Sequence, residues 1–277
     1  MNIVIYRDNE SKTSVYYLDV SLKKILGEQI QITYVDRHKL PHIMDDNVDL
    51  FILPGITGDD CAYYNHIQKA SPAIKKCIQN GTVFLGICAG AYYAMTNIEY
   101  RKRDGSYKHR VSPLGLINGT AKGPVEGDGI PYDGNMEWDS CVARKIELSG
   151  HDSISGKEGR ALYSCGPRFI PDKNSLYRVF GRYADHPEKP DALIMKSYGK
   201  GLVIASSSSP QYDGISMQFD MTLDELEASN NKLHQLARKF DDYNEEQRRV
   251  WQFILLTALK HIQNLAPKGA PVLQPTS

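Results

Sequence analysis

Apolar and polar positions divide the chain into three stretches with different periods. In the first, short β-branched runs alternate with longer segments of helical spacing. Residues 2–6 read as a strand, and residues 14–26 as a helix with Val15, Leu18, Leu22, Ile25 and Leu26 on one face. Residues 29–35 read as a strand and residues 48–53 as a buried one. Ser71-Pro72 opens a helix through Ile74, Cys77 and Ile78, since proline suits the first helical position, and Gly81 stops it. Residues 82–87 are the next strand. Strands alternating with helices imply a parallel sheet with right-handed crossovers.

The middle, from about residue 100 to 205, is rich in Gly and Tyr and carries short alternating strands at 141–148, 161–165, 176–183, 192–197 and 201–206. They read as antiparallel additions at a sheet edge, with Tyr198-Gly199-Lys200-Gly201 as a turn. The tail returns to helical spacing. Thr222-Leu223-Asp224-Glu225 fits a capping box ahead of Leu226, Leu233, Leu236 and Phe240. A second helix from Asn244 carries Val250, Phe253, Ile254, Ala258, Ile262 and Leu265. The pattern gives an α/β fold in a single domain over residues 1–265, in which 222–265 is a helical extension, with 266–277 a loose C-terminal tail.

Composition narrows the function without naming it. Lys+Arg and Asp+Glu are 33 each, so composition lends no support to a nucleic-acid or anionic-membrane partner. No apolar run reaches the length of a membrane span. The first residues charge too quickly for a signal peptide and read as a strand. The five cysteines, Cys61, Cys77, Cys88, Cys141 and Cys165, are widely spaced and lack a C-x-x-C. A disulfide framework or a zinc site is therefore not expected, and a reducing, cytoplasmic compartment is. No metal or cofactor is expected.

One stretch carries chemistry. Val83-Phe84-Leu85 runs through Gly86-Ile87-Cys88-Ala89-Gly90 into Ala91-Tyr92-Tyr93-Ala94. This is the pattern of a nucleophile elbow with cysteine as the nucleophile. The glycines permit a sharp strand-to-helix turn, the helix N-terminus favours a thiolate at Cys88, and the Ala89 N–H points at a developing oxyanion. A lowered Cys88 pKa and the fastest alkylation among the cysteines follow as expectations. The alternative is a buried structural cysteine in a glycine-punctuated strand.

The elbow, together with Leu50-Phe51-Ile52-Leu53-Pro54-Gly55, residues 114–125 and Tyr198-Gly199-Lys200-Gly201, resembles class I glutamine amidotransferase-like proteins. The likeness is nearest to the amidotransferase-like domain N-terminal to the ligase in fungal biotin-protein ligases and its stand-alone bacterial counterparts. It covers roughly residues 1–215. It implies a flavodoxin-like three-layer fold with a mostly parallel sheet and Cys88 at its C-terminal edge. It also implies a second oxyanion donor after Gly55, where Ile56 replaces the usual further glycine, and a site bordered by Ala89, Tyr92 and Tyr93. Of the two tyrosines, one is expected to pack and the other to line the pocket.

The resemblance fails at the base. Active relatives run from the strand equivalent to 201–206 into His-Pro-Glu; here the register gives Ser209-Pro210-Gln211. Serine cannot take a proton near neutral pH, and glutamine cannot stabilise an imidazolium. General-base assistance contributes ~10² to 10⁴ in rate. A literal His186-Pro187-Glu188 stands elsewhere, in a polar proline-bounded connection that reads as an exposed turn. His109 and His151 are further candidates without a selecting signal. Residues 126–139 read as a solvated acidic loop, the basic residues from 101 to 110 as a solvated loop, and 163–167 as a plain turn.

Three function classes remain. One is a pocket that binds a small carboxamide or carboxylate with weak or no glutaminase activity. Another is a cysteine-dependent amidase or hydrolase acting on C–N bonds with a non-standard base. The third is a thiol-based sensor, disfavoured because no resolving cysteine is adjacent in sequence. The expected partner is a small molecule; oligomeric state is open.

Overall fold

The computed structural model describes residues 1–27, 29–44, 47–56, 61–102, 104–125, 141–150, 156–217 and 230–265. The acidic loop at 126–139, His151, the expected capping box at 222–225 and the tail 266–277 lie outside them.

The apolar runs of the first stretch become β1 (Asn2–Tyr6), β2 (Gln31–Val35), β3 (Leu50–Leu53) and β4 (Val83–Ile87). With β13 (Gly201–Ser206) they form a parallel array in the order β2-β1-β3-β4-β13. The sheet continues through β12 (Asp191–Tyr198), β11 (Arg178–Tyr183), β8 (Val142–Leu148) and β9 (Glu158–Tyr163), all antiparallel. The expected edge additions are thus present, but the nine-stranded sheet is mixed in equal parts and not mostly parallel.

Alternation along the strands supplies two cores. Ile3, Ile5, Ile52, Leu85 and Ile204 face α1 (Lys12–Leu26) and α6 (Asn244–Leu265), meeting Leu18, Leu22, Val250, Trp251 and Ile254. Val4, Phe51, Leu53, Phe84 and Val203 face the opposite way, onto Tyr63, Ile67, Ile74 and Ile78 of α3 (Cys61–Asn80). The short α2 (Leu40–Ile43) packs beside α3, and α5 (Asn230–Asp242) precedes α6. Among the described residues no helix is long and apolar enough to cross a membrane.

Two expectations need correction. The helix expected to open at Ser71-Pro72 begins at Cys61, and Pro72 lies inside it. Burial of the Tyr63, Ile67, Ala70, Ile74 stripe outweighs the backbone hydrogen bond that an internal proline removes. The second correction is a four-stranded sheet the sequence did not announce. It runs β10 (Arg168–Pro171), β7 (Ile117–Gly123), β5 (Met95–Arg101), β6 (Tyr107–Val111). It includes Arg101, Lys108, His109 and Arg110, which were expected in a loop: Arg101 pairs with Tyr107 and Tyr100 with Lys108. Its strands are half exposed and β5 follows α4 (Ala89–Ala94) without a break, so neither apolar run nor turn residue marks where the sheet begins.

Candidate functional site

β4 ends against its parallel neighbour β13, and the chain turns at Cys88, whose backbone sits at φ 50° and ψ −106°. That is strained for a residue with a Cβ, at a cost of ~1–3 kcal/mol. The Cys88 N–H donates to the Ser206 carbonyl at 2.8 Å, while the Cys88 carbonyl accepts Ala91 N–H at 3.0 Å and begins α4. The glycines are fixed by backbone approach. A Cβ on Gly90 would stand 1.9 Å from the Leu53 carbonyl oxygen, and one on Gly86 would stand 2.6 Å from that of Gly90. Helix α4 therefore rests directly on strands β3 and β4.

The Cys88 sulfur donates to the Ser164 carbonyl at 3.3 Å. Gly55 lies alongside: its Cβ position is 3.4 Å from Cys88 Cβ, 3.9 Å from Cys88 Sγ and 3.8 Å from Ser14 Oγ. Ile56 is half-buried against the α3-side core. Ser14 Oγ in turn accepts the Gln211 side-chain amide at 3.2 Å. Three tyrosines near Cys88 are engaged by backbone and serine groups. The Tyr92 hydroxyl donates to the Cys165 carbonyl at 2.8 Å, that of Tyr163 to Gly166 at 2.9 Å, and that of Tyr183 to Ser207 Oγ at 2.8 Å.

Burial pushes the Cys88 thiol up to about 12, and the neighbouring Cys165 and Cys141 add to the rise. The Ala89 N–H is bonded to the sulfur and pulls the other way. The expected lowering is thus reversed. Desolvation disfavours the thiolate more than one N–H and a six-residue helix favour it.

The remaining sequence candidates separate. Ser209 is buried and its N–H is tied to the Leu162 carbonyl at 2.7 Å. Gln211 is fully buried, with its Oε1 lacking a hydrogen-bond partner. Tyr93 packs, its ring against Tyr63 at 5.8 Å between centroids. His186 lies on the exposed β11–β12 connection, where its Nδ1 accepts the Glu188 N–H at 3.1 Å. His109 is on β6, beside Glu99 at 3.6 Å. Ser14, Tyr163, Tyr183 and Cys165 join the site without having been singled out as functional. The turn at 163–167 held two of them, Tyr163 and Cys165, but nothing local distinguished it from an ordinary Gly-Pro turn. No group of three or more His, Cys, Asp or Glu among the described residues is placed to hold a metal ion.

The family model for the N-terminal region of biotin-protein ligase matches residues 1–275. The chain belongs to the biotin-protein ligase N-terminal family. An uncharacterized protein of Chlamydia muridarum (strain MoPn / Nigg) is 27% identical over 218 residues, 76% of this chain and 80% of that protein. A biotin–protein ligase of Schizosaccharomyces pombe (strain 972 / ATCC 24843) is 26% identical over 218 residues, 76% of this chain. That match spans 33% of the ligase. Among solved structures, a beta-galactosidase from Bacillus circulans sp. alkalophilus superposes with a TM-score of 0.46 at 11% identity, over 75% of this chain and 28% of that one. A likeness at that level carries no argument. Within the biotin-protein ligase N-terminal family, the reading of this chain rests on its own cleft.

Proposed function

We propose that this member of the biotin-protein ligase N-terminal family is a glutamine amidotransferase-like domain of flavodoxin-like, three-layer form. It binds a small carboxamide or carboxylate at the Cys88 cleft and cleaves it slowly or not at all. One observation carries the reading: the residues in the base and acid register are Ser209 and Gln211, both buried, with Gln211 bonded to Ser14. Neither side chain can cycle a proton at neutral pH. A half-buried thiol with a raised pKa adds to the same conclusion, since little thiolate is present to attack.

The same groups suit binding. The unpartnered Gln211 Oε1 accepts a ligand N–H that would otherwise be left unpaired. Its relation to a biotin–protein ligase gives the domain a ligase-related setting, with a small molecule as partner and the cytoplasm as its place.

The test is turnover. Wild-type protein is expected to hydrolyse glutamine far below the ~1 to 10³ s⁻¹ ordinary for enzymes. Turnover in that range would overturn the reading and reveal an amidase acting on C–N bonds with another base. Replacing Ser209→His and Gln211→Glu together should create measurable hydrolysis. Failure of the double variant would mean that the pocket differs as well as the triad. A thermal-shift series of small amides against their acids reads the binding half of the proposal directly.

A further inference from the structure

The cleft holds a second cysteine in an unusual backbone state. Among the described residues three non-glycines have positive φ: Cys88 at 50°, Cys165 at 59° and Lys189 at 43°. The first two are neighbours, since Cys165 is among the groups that act on the Cys88 thiol. The Ser164 carbonyl that accepts the Cys88 thiol shares its peptide plane with the N and Cα of Cys165. That places the Cys88 sulfur within about 6 Å of the Cys165 Cα by standard backbone dimensions.

The Cys165 segment is clamped there. Tyr92 holds the Cys165 carbonyl at 2.8 Å and Tyr163 the Gly166 carbonyl at 2.9 Å. A Cβ on Gly166 would stand 1.8 Å from the Ser207 carbonyl oxygen, so backbone lies on backbone. Neither cysteine is in a disulfide. Cys141, the third thiol nearby, packs instead in a separate cluster with Leu162, Met217 and Leu236.

We propose that Cys88 and Cys165 are a dithiol pair that closes to an intramolecular disulfide on meeting a small-molecule disulfide, and that closure masks Cys88 until the bond is reduced. The exchange balances. The Cys88 thiolate attacks one sulfur of the external disulfide, forming a mixed disulfide and releasing one small thiolate. The Cys165 thiolate then attacks the Cys88 sulfur of that mixed disulfide, forming the Cys88–Cys165 bond and expelling the second small thiolate. Two protein thiols are oxidised and one external disulfide is reduced to two thiols. The product has no charge and no donor, which suits a half-buried position. The resolving cysteine lies 77 positions away in sequence, which hid it from a search for adjacent pairs.

The experiment uses the full chain with excess oxidised glutathione, iodoacetamide trapping and mass spectrometry of unreduced peptides. A Cys88–Cys165 cross-link is expected. Its rate should rise about tenfold per pH unit between about pH 8 and 10, and dithiothreitol should reverse it. Cys165→Ser should stop at a glutathione adduct on Cys88. Cys165→Gly, which relieves the positive φ, repeats that arm with a more tolerant backbone. Cys141→Ser should close as the wild type does. A Cys88–Cys141 bond, a wild-type reaction that stops at the mixed disulfide, or an inert Cys88 at pH 10 would each overturn the pairing.

Discussion

Two segments leave the same edge of the large sheet side by side, since Gly86 and Ile87 pair with Ala205 and Ser206. The β4–α4 segment is a sharp strand-to-helix turn with Cys88 at a strained backbone position. The run from Ser206 to Gln211 holds none of the acid–base groups that would use it. In that run the Ser206 hydroxyl donates to the Ser208 carbonyl, Ser207 Oγ accepts from Tyr183, and Gln211 reaches Ser14. The elbow is demanded by packing, because Gly86 and Gly90 let a helix rest on two strands whatever Cys88 does. The neighbouring run is buried and hydrogen-bonded within the fold and offers no titratable side chain. A strained cysteine is therefore a weak sign of catalysis unless the adjacent strand end supplies a base.

The comparison breaks first at Gly90. Gly90→Ala drives a methyl into the Leu53 carbonyl, a contact with no flexible side chain to yield. A loss of about 3 kcal/mol is expected, at the upper end for overpacking. Urea unfolding measures it. Tolerance within about 0.5 kcal/mol would show that packing does not fix the elbow.

Next comes the thiol. The folded Cys88 pKa, about 12, lies above the ordinary value of 9.0. Between those two pH values the unfolded chain loses its proton first, so the folded state loses stability as pH rises and keeps it below about 9. Buried Tyr63, Tyr92, Tyr163 and Tyr183, all raised by burial, add to the same fall. Cys88→Ala should flatten the slope by at most one proton, about 1.4 kcal/mol per pH unit. Alkylation of native Cys88 should climb through the same window. A plateau below pH 8 would restore the activated-thiolate view.

What could be read from sequence follows the range of each interaction. The parallel strands were legible because 50–53 and 83–87 are unbroken apolar runs, buried on both faces. The strand-to-helix turn at Cys88 was legible because two glycines, a strand and a helix are contiguous. The second sheet was not, since β6 alternates between exposed and half-buried positions and shows no core face. The surroundings of Cys88 were not either. Ser164 is 76 residues from it, and Ser14 is 197 from Gln211. The direction of the thiol shift depends on burial by those distant groups, so the local helix-terminus argument gave the wrong sign.

A smaller effect sharpens the β13 side. Ser14→Ala removes the acceptor of a fully buried Gln211 amide and should cost about 1 to 2 kcal/mol. Adding Gln211→Leu should recover most of that loss, because no buried amide is then left without a partner. If the two losses simply add, Ser14 and Gln211 do not act as a pair.

The smallest effect is expected at His186, the one histidine that stands in a literal His-Pro-Glu. Its ring nitrogen takes the Glu188 N–H within an exposed turn, and Glu188 pairs with Arg168 at 2.7 Å. Cys165, Cys141 and the Ala89 N–H are the groups that act on the Cys88 thiol besides burial, and His186 is not among them. His186→Ala should therefore leave stability within about 0.5 kcal/mol. It should also leave the pH profile of Cys88 alkylation superimposable on that of the wild type. Both readouts are needed, since an exposed turn residue could be neutral to stability and still serve as a base. A profile displaced to higher pH in the variant would mean that His186 reaches the sulfur. The turn would then supply the proton acceptor that Ser209 cannot, and the contrast between the two strand ends would no longer describe the site.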